Sequence, residues 1–205
     1  MKKLILFVVS IFVAVSSYAQ AQDPSPRIIT RIINYNDAFS GPANWKETYS
    51  HFRGIDEVTT VYVSEAMFRL ARRIPEINVD AIGDEDLNLA PIIKSLKSMY
   101  LINIPSECHV KVSDTKGSTF KVNKLIDLRD VLERFFTLNS SVSKLEPYLE
   151  VNHGKEQIRI NASTVGDVIT TFAMFVNQGD EATLVFIEGE IPQKELEDAL
   201  GKVMQ

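Results

Sequence analysis

The groups with which this chain could do nucleophilic or acid–base chemistry are few: one cysteine, three histidines and a scatter of carboxylates. Cys108 stands beside His109, a pair that suggests a thiol activated by an imidazole. Neighbours in a strand point to opposite faces, however, so His109 cannot readily reach the thiol. Cys108 is therefore expected to be a small buried hydrophobe at the end of a strand. Being the sole cysteine, it makes no intrachain disulfide, and the fold must stand on its hydrophobic core. No serine sits in a Gly-x-Ser-x-Gly elbow. Of the other histidines, His51 has no recognisable catalytic neighbour, and His153 falls in Asn152-His153-Gly154-Lys155, where it reads as a turn residue. Glu150, Glu156 and Glu188 could serve as the paired carboxylates of a hydrolase if neighbouring strands brought them together. Their spacing does not require that, and they read as solvated strand residues.

Metal and nucleotide chemistry find no local motif. His-Glu-x-x-His and Cys-x-x-Cys are both missing, as are the Walker loop and the Gly-x-Gly-x-x-Gly turn. Asp80, Asp84, Glu85 and Asp86 around Gly83 invite a calcium assignment, but their spacing does not match an alternating calcium-loop ligand set closed by a glutamate. They read as a solvated acidic loop. Arg69, Arg72 and Arg73 read likewise as the solvated side of a short helix rather than an anion site. The expectation is thus no catalytic, cofactor-binding or metal-ligating residue and no cofactor.

The composition around these residues is that of a globular protein. The 205 residues are 45% hydrophobic and 24% charged, which excludes global disorder. The formal charge of −5 excludes a broad grip on phosphate backbones, so nucleic acid is not an expected partner. At the start, Lys2 and Lys3 precede an apolar run from Leu4 to Val15, followed by Ser16, Ser17 and Ala19, the three-part layout of a secretory signal peptide. The run of 12 residues is short against the roughly 20 that span a bilayer as a helix. Cleavage is expected after Ala19 or Ala21. Taking Lys2 and Lys3 from the 22 basic residues leaves 20 against 27 acidic ones, a net charge of −7 for the exported chain. A soluble protein of the periplasm, cell envelope or exterior is expected, with no stable membrane span and no lipid-bearing cysteine near the leader.

The elements that would position any site follow from the apolar pattern. Residues 1–19 are the leader and 20–50 a loosely structured N-terminal extension, in which Ile28, Ile29, Ile32 and Ile33 lie at helical spacing and could clamp the domain. Residues 51–205 form one domain. Val58 to Val63 predicts a strand, and Ser64 caps a helix with Ala66, Met67, Leu70, Ala71 and Ile74 on its apolar stripe, closed by Pro75. Pro91 opens a short helix through Leu96, and Met99 to Ile104 is a buried strand stopped by Pro105. Val110 to Val122 suggests an irregular hairpin turning at Asp114, Lys116 and Gly117. Leu125, Leu128, Leu132, Phe135 and Phe136 draw the main covering helix. Tyr148 to Val151 and Glu156 to Asn161 form a hairpin, with Ile158 and Ile160 facing one way and Gln157, Arg159 and Asn161 the other. Val168 to Val176 and Thr183 to Ile187 form a second, buried hairpin around Asn177-Gln178-Gly179-Asp180, and Pro192 opens a last helix with Leu196, Ala199, Leu200 and Val203. Helices and hairpins are interspersed without steady strand–helix alternation. The fold class expected is α+β, a mainly antiparallel sheet with helices packed on one face.

The passage Phe52-Arg53-Gly54-Ile55-Asp56-Glu57-Val58-Thr59-Thr60-Val61-Tyr62-Val63-Ser64, followed by Ala66-Met67-Phe68, resembles the opening of the Domain of Unknown Function 4252 family. The close resembles it too, with an apolar strand, the turn Asn177-Gln178-Gly179-Asp180-Glu181, a second strand, and Gly189-Glu190-Ile191 leading to a helix with Leu196. The resemblance spans roughly residues 50 to 200. It implies a small exported protein of Gram-negative bacteria with no established activity and no agreed catalytic residues. This chain departs from that picture in its longer N-terminal extension, its acidic Asp80 to Asp86 loop and the want of a lipid-attachment cysteine.

Three functions are compatible with these residues. One is a non-catalytic envelope module that binds a protein or peptide, for instance along an exposed sheet edge. Another is a carrier of a small apolar or amphipathic ligand held near the apolar runs Met99 to Ile104 and Val168 to Val176. The last is a hydrolase whose residues meet only in the fold.

Overall fold

The computed structural model describes residues 27–34, 44–71, 90–106, 108–114, 122–154 and 156–197. Residues 1–19, which the sequence suggests as a leader, the Asp80 to Asp86 loop, Arg72, Arg73, Ile74, Lys116, Gly117, Ala199, Leu200 and Val203 lie outside the described residues.

Six strands form the main sheet, every neighbouring pair antiparallel: β2 (Thr59–Val63), β3 (Leu96–Pro105), β9 (Glu181–Pro192), β8 (Val168–Asn177), β7 (Glu156–Val165) and β6 (Glu146–His153), in that spatial order. A second sheet joins β1 (Arg27–Asn34), parallel to β4 (Cys108–Asp114), with β5 (Val122–Asp127) antiparallel on the other side of β4. The α+β class and the mainly antiparallel pairing expected from the sequence are both present.

Alternation along the strands of the main sheet builds two cores. Phe172, Met174, Val176, Val185, Ile187, Ile158 and Ile160 point to one face. Ala173, Phe175, Leu184, Phe186, Ile102 and Ile104 point to the other, where α1 (Trp45–Phe52) and α4 (Leu128–Val142) add Trp45, Phe52, Leu132, Phe135 and Phe136. The helices are not confined to that second face. Phe68 from α2 (Glu65–Ala71), Ile92 from α3 (Ala90–Ser95) and Leu196, in the helical turn 193–197, pack on the first. Strands apolar on both sides, such as β8 and β9, need cover on both, which is why one layer of helices does not suffice.

Two parts of the segment expected to be loose carry regular structure. Residues 27–34 form β1 rather than a helical clamp. Four isoleucines at positions 28, 29, 32 and 33 satisfy either period over so short a stretch, and β-branched residues favour the strand. Residues 45–52 form α1, whose N-cap Asn44 accepts a hydrogen bond from the Glu47 N–H at 2.9 Å. Trp45 stacks on Phe186 with ring centroids 4.7 Å apart and donates Nε1–H to Ser143 Oγ at 3.1 Å. Deeper between α1 and α4, Asn139 Nδ2 donates to Thr48 Oγ1 at 2.7 Å and to the Phe135 carbonyl at 2.9 Å.

Two further boundaries differ from expectation. Leu125 lies on β5, and α4 starts at Leu128 because Asp127 caps it, accepting from the Arg129 N–H at 2.9 Å. On α2 the buried residue is Phe68, while Met67 and Leu70 are 56% and 51% exposed. The rotation of so short a helix follows how it leaves β2 rather than its own apolar stripe. Where β3 begins, the register with β9 shifts between Leu96 and Ser98, and a Cβ on Gly189 would sit 2.6 Å from the Ser95 carbonyl oxygen. Only glycine fits that approach.

Candidate functional site

The residues singled out for chemistry do not assemble. Cys108 is buried in the core under α4, as a strand-end hydrophobe should be. His109, next along β4, lies opposite Asp127. His51 packs edge-on against Phe52 and Phe135, at 5.4 and 5.2 Å between ring centroids. His153 ends β6 opposite Glu156.

The three glutamates are separated by the sheet itself. Glu150 pairs with Arg159 and so shares its face, whereas Glu156 lies on the Ile158 face of the same hairpin. Glu188 sits on β9, opposite Ser98 and Thr171, and its Oε2 accepts from Ser98 Oγ at 2.6 Å. Three strand spacings separate β9 from β6, about 14 Å. No pair of them flanks a common point, as a glycosidase requires. Among the described residues there is no group of three His, Cys, Asp or Glu side chains that could hold a metal ion, and no helix long and apolar enough to cross a membrane.

The apolar runs Met99 to Ile104 and Val168 to Val176 are filled by one another and by the helices, their side chains alternating between the two cores.

What the tertiary structure does create is an asymmetric pair of sheet edges. Among the described residues β2 hydrogen-bonds only to β3, and β6 only to β7. β6 carries Glu146, Pro147 and Glu150, devices that discourage a further strand. β2 reads Thr-Thr-Val-Tyr-Val, β-prone throughout and without charge or proline.

A tyrosine cluster backs the β2 edge. Tyr62 and Tyr100 are register partners, stacked at 4.7 Å, and Tyr49 of α1 tilts against both at 6.2 and 5.4 Å. Burial, with Tyr62, Glu188 and Tyr49 close by, pushes the Tyr100 hydroxyl above its ordinary pKa. Tyr62 is nonetheless 48% exposed. Asp56 and Glu57 before the strand and Glu65 after it are exposed and place acidic groups at both ends.

The family model for DUF4252, a domain of unknown function, matches residues 49–199. The chain belongs to the DUF4252 family. No curated protein and no solved structure matches the chain. The DUF4252 match takes in the whole main sheet and all but the first turn of α1, so the β2 edge and the guarded β6 edge both lie within the family domain. The sequence signal for that edge was present in the charge-free run Thr59 to Val63, but which strands end the sheet is a matter of topology, which local pattern does not reveal.

Proposed function

We propose that this DUF4252 protein is an exported, non-catalytic module of the bacterial cell envelope that takes an extended segment of a partner protein as an additional strand on β2. The observation that carries this reading is the β2 edge, which pairs with no second strand among the described residues, set against a β6 edge bearing proline and two carboxylates in the same sheet. Strand addition draws affinity from main-chain hydrogen bonds and selectivity from alternate side chains. The exposed Tyr62 ring offers an apolar contact to the residue of the incoming strand that lies opposite it on that face. Acidic groups at both ends favour a β-branched or aromatic partner segment flanked by Lys or Arg. The leader pattern of Lys2, Lys3 and the run Leu4 to Val15 supports export. The separation of Glu150, Glu156 and Glu188 weighs against an acid–base hydrolase.

Photo-crosslinking in the envelope of the host tests the reading. A benzophenone amino acid at Thr60 should yield one discrete protein adduct, and the same group at Leu149 on β6 should yield none. Adding Tyr62→Lys, which charges the edge, should abolish the adduct. Equal adducts from both edges, or none from Thr60, would overturn it.

A further inference from the structure

A cleft of about 310 Å³ opens between the C-terminal half of α4 and strands β6 and β7, a volume at the lower end of small-molecule sites. One wall is apolar, from Phe136, Leu145 and Pro147; the other is polar, from Ser140, Arg159 and Asn161. Two polar atoms of these residues, Arg159 Nε and Ser140 Oγ, are buried with no hydrogen-bond partner among the described residues. Ser140 is 4% exposed. A buried donor left unmade costs about 1–3 kcal/mol, so an occupant that satisfies both has a ready source of affinity.

The guanidinium is held in place. Arg159 Nη2 donates to Glu133 Oε1 at 2.7 Å, and Cζ lies over the rings of Phe136 and Phe175 at 5.1 and 5.2 Å. That clamp fixes the direction of Nε–H in advance, which lowers the ordering cost of binding. It also fixes the charge preference. Glu133 already offsets the cation, and Glu150 lines the cleft. An anionic head would face two carboxylates, and a cationic head would meet the guanidinium.

We propose that this cleft binds a small neutral molecule with a carbonyl or amide oxygen and a short apolar body. The oxygen accepts from Arg159 Nε and Ser140 Oγ, and the body lies on Phe136, Leu145 and Pro147. The site is independent of the β2 edge and stands whether or not that edge takes a partner.

Three probes with the same tail and different heads test it: hexanamide, hexanoate and hexylamine, each titrated at millimolar concentration, the range expected for ligands of this size. The readout is the ¹H–¹⁵N correlation spectrum of the ¹⁵N-labelled protein in the form its own host produces. Hexanamide should shift the Ser140, Ser141, Leu149 and Arg159 amides saturably, with both charged probes at least about fivefold weaker. Ser140→Ala should weaken hexanamide by about fivefold while leaving peaks away from the cleft unmoved. Arg159→Lys, which keeps the charge but loses the fixed N–H, should weaken it at least as much. No saturable shift with hexanamide, equal responses to all three heads, or an unchanged affinity in Ser140→Ala would each overturn the proposal.

Discussion

The two ends of the main sheet solve the same problem differently. At the β6 end, Pro147 removes a donor, Glu146 and Glu150 add charge, and α4 covers the α1-side face with Phe136 and the clamped Arg159. At the β2 end no such guard appears on the strand, and the aromatic groups of α1 and β3 come to the surface at Tyr62. Edges that are left bare in natural sheets are an aggregation hazard unless something uses them. The contrast within one sheet is what turns an ordinary edge strand into a candidate interface.

The largest effect should come from the helix under the bare end. Trp45→Ala removes the stack on Phe186 and the bond to Ser143, and should cost about 3–5 kcal/mol in urea unfolding. Because Trp45 is the sole tryptophan, the wild-type transition can be followed by its own fluorescence. The variant transition is followed by circular dichroism. A loss below about 1 kcal/mol would mean that α1 is the loose extension suggested by composition, and the backing of the β2 edge would go with it.

The guarded end is sharpened through the start of α4. Burial alone would raise the Asp127 carboxyl, but hydrogen bonds from the Arg129 side chain and N–H, with its charge, outweigh that and hold it below the ordinary value of 3.8. Arg129 Nη1 also donates to the Gly179 carbonyl at 2.7 Å, tying α4 to the β8–β9 turn. A carboxyl depressed in the folded state stabilises above its unfolded pKa, and that contribution is lost as pH falls from 3.8 through the lowered native value. Asp127→Asn should therefore lose about 1 kcal/mol at neutral pH and show a flatter decline in acid, measured by urea unfolding across pH. An unchanged acid profile would remove Asp127 from that account.

The smallest change in stability should accompany the most direct break of the comparison. Pro147→Val with Glu150→Thr strips the guard from β6 and should alter stability by less than about 1 kcal/mol. It should also promote concentration-dependent association, read by sedimentation velocity. A variant that stays as monomeric as the parent would show that the guard is not what distinguishes the edges.

Much of the fold was legible because its signals are local. The β8–β9 hairpin declares itself through a long apolar run, the Asn177-Gln178-Gly179-Asp180 turn and a second run, and the β6–β7 hairpin through alternation at Ile158 and Ile160. Met67 and Phe68 show where locality fails. Both are apolar, and their burial depends on the angle at which a seven-residue helix leaves β2. The cleft was less accessible still. Arg159 alternates as a polar strand residue should, and only Phe136 and Glu133, brought in by α4, convert it from a surface cation to a clamped donor.

From the sequence alone came the α+β class, the strand and turn chemistry of the final third, the burial of Cys108 and the resemblance to DUF4252, because each is written in residue types a few positions apart. Tertiary structure alone decided the strand order, hence which strands end the sheet, and the placing of Ser140 and Arg159 along one cleft. Those depend on contacts between residues far apart in the chain, whose geometry the folding of all the intervening elements sets at once.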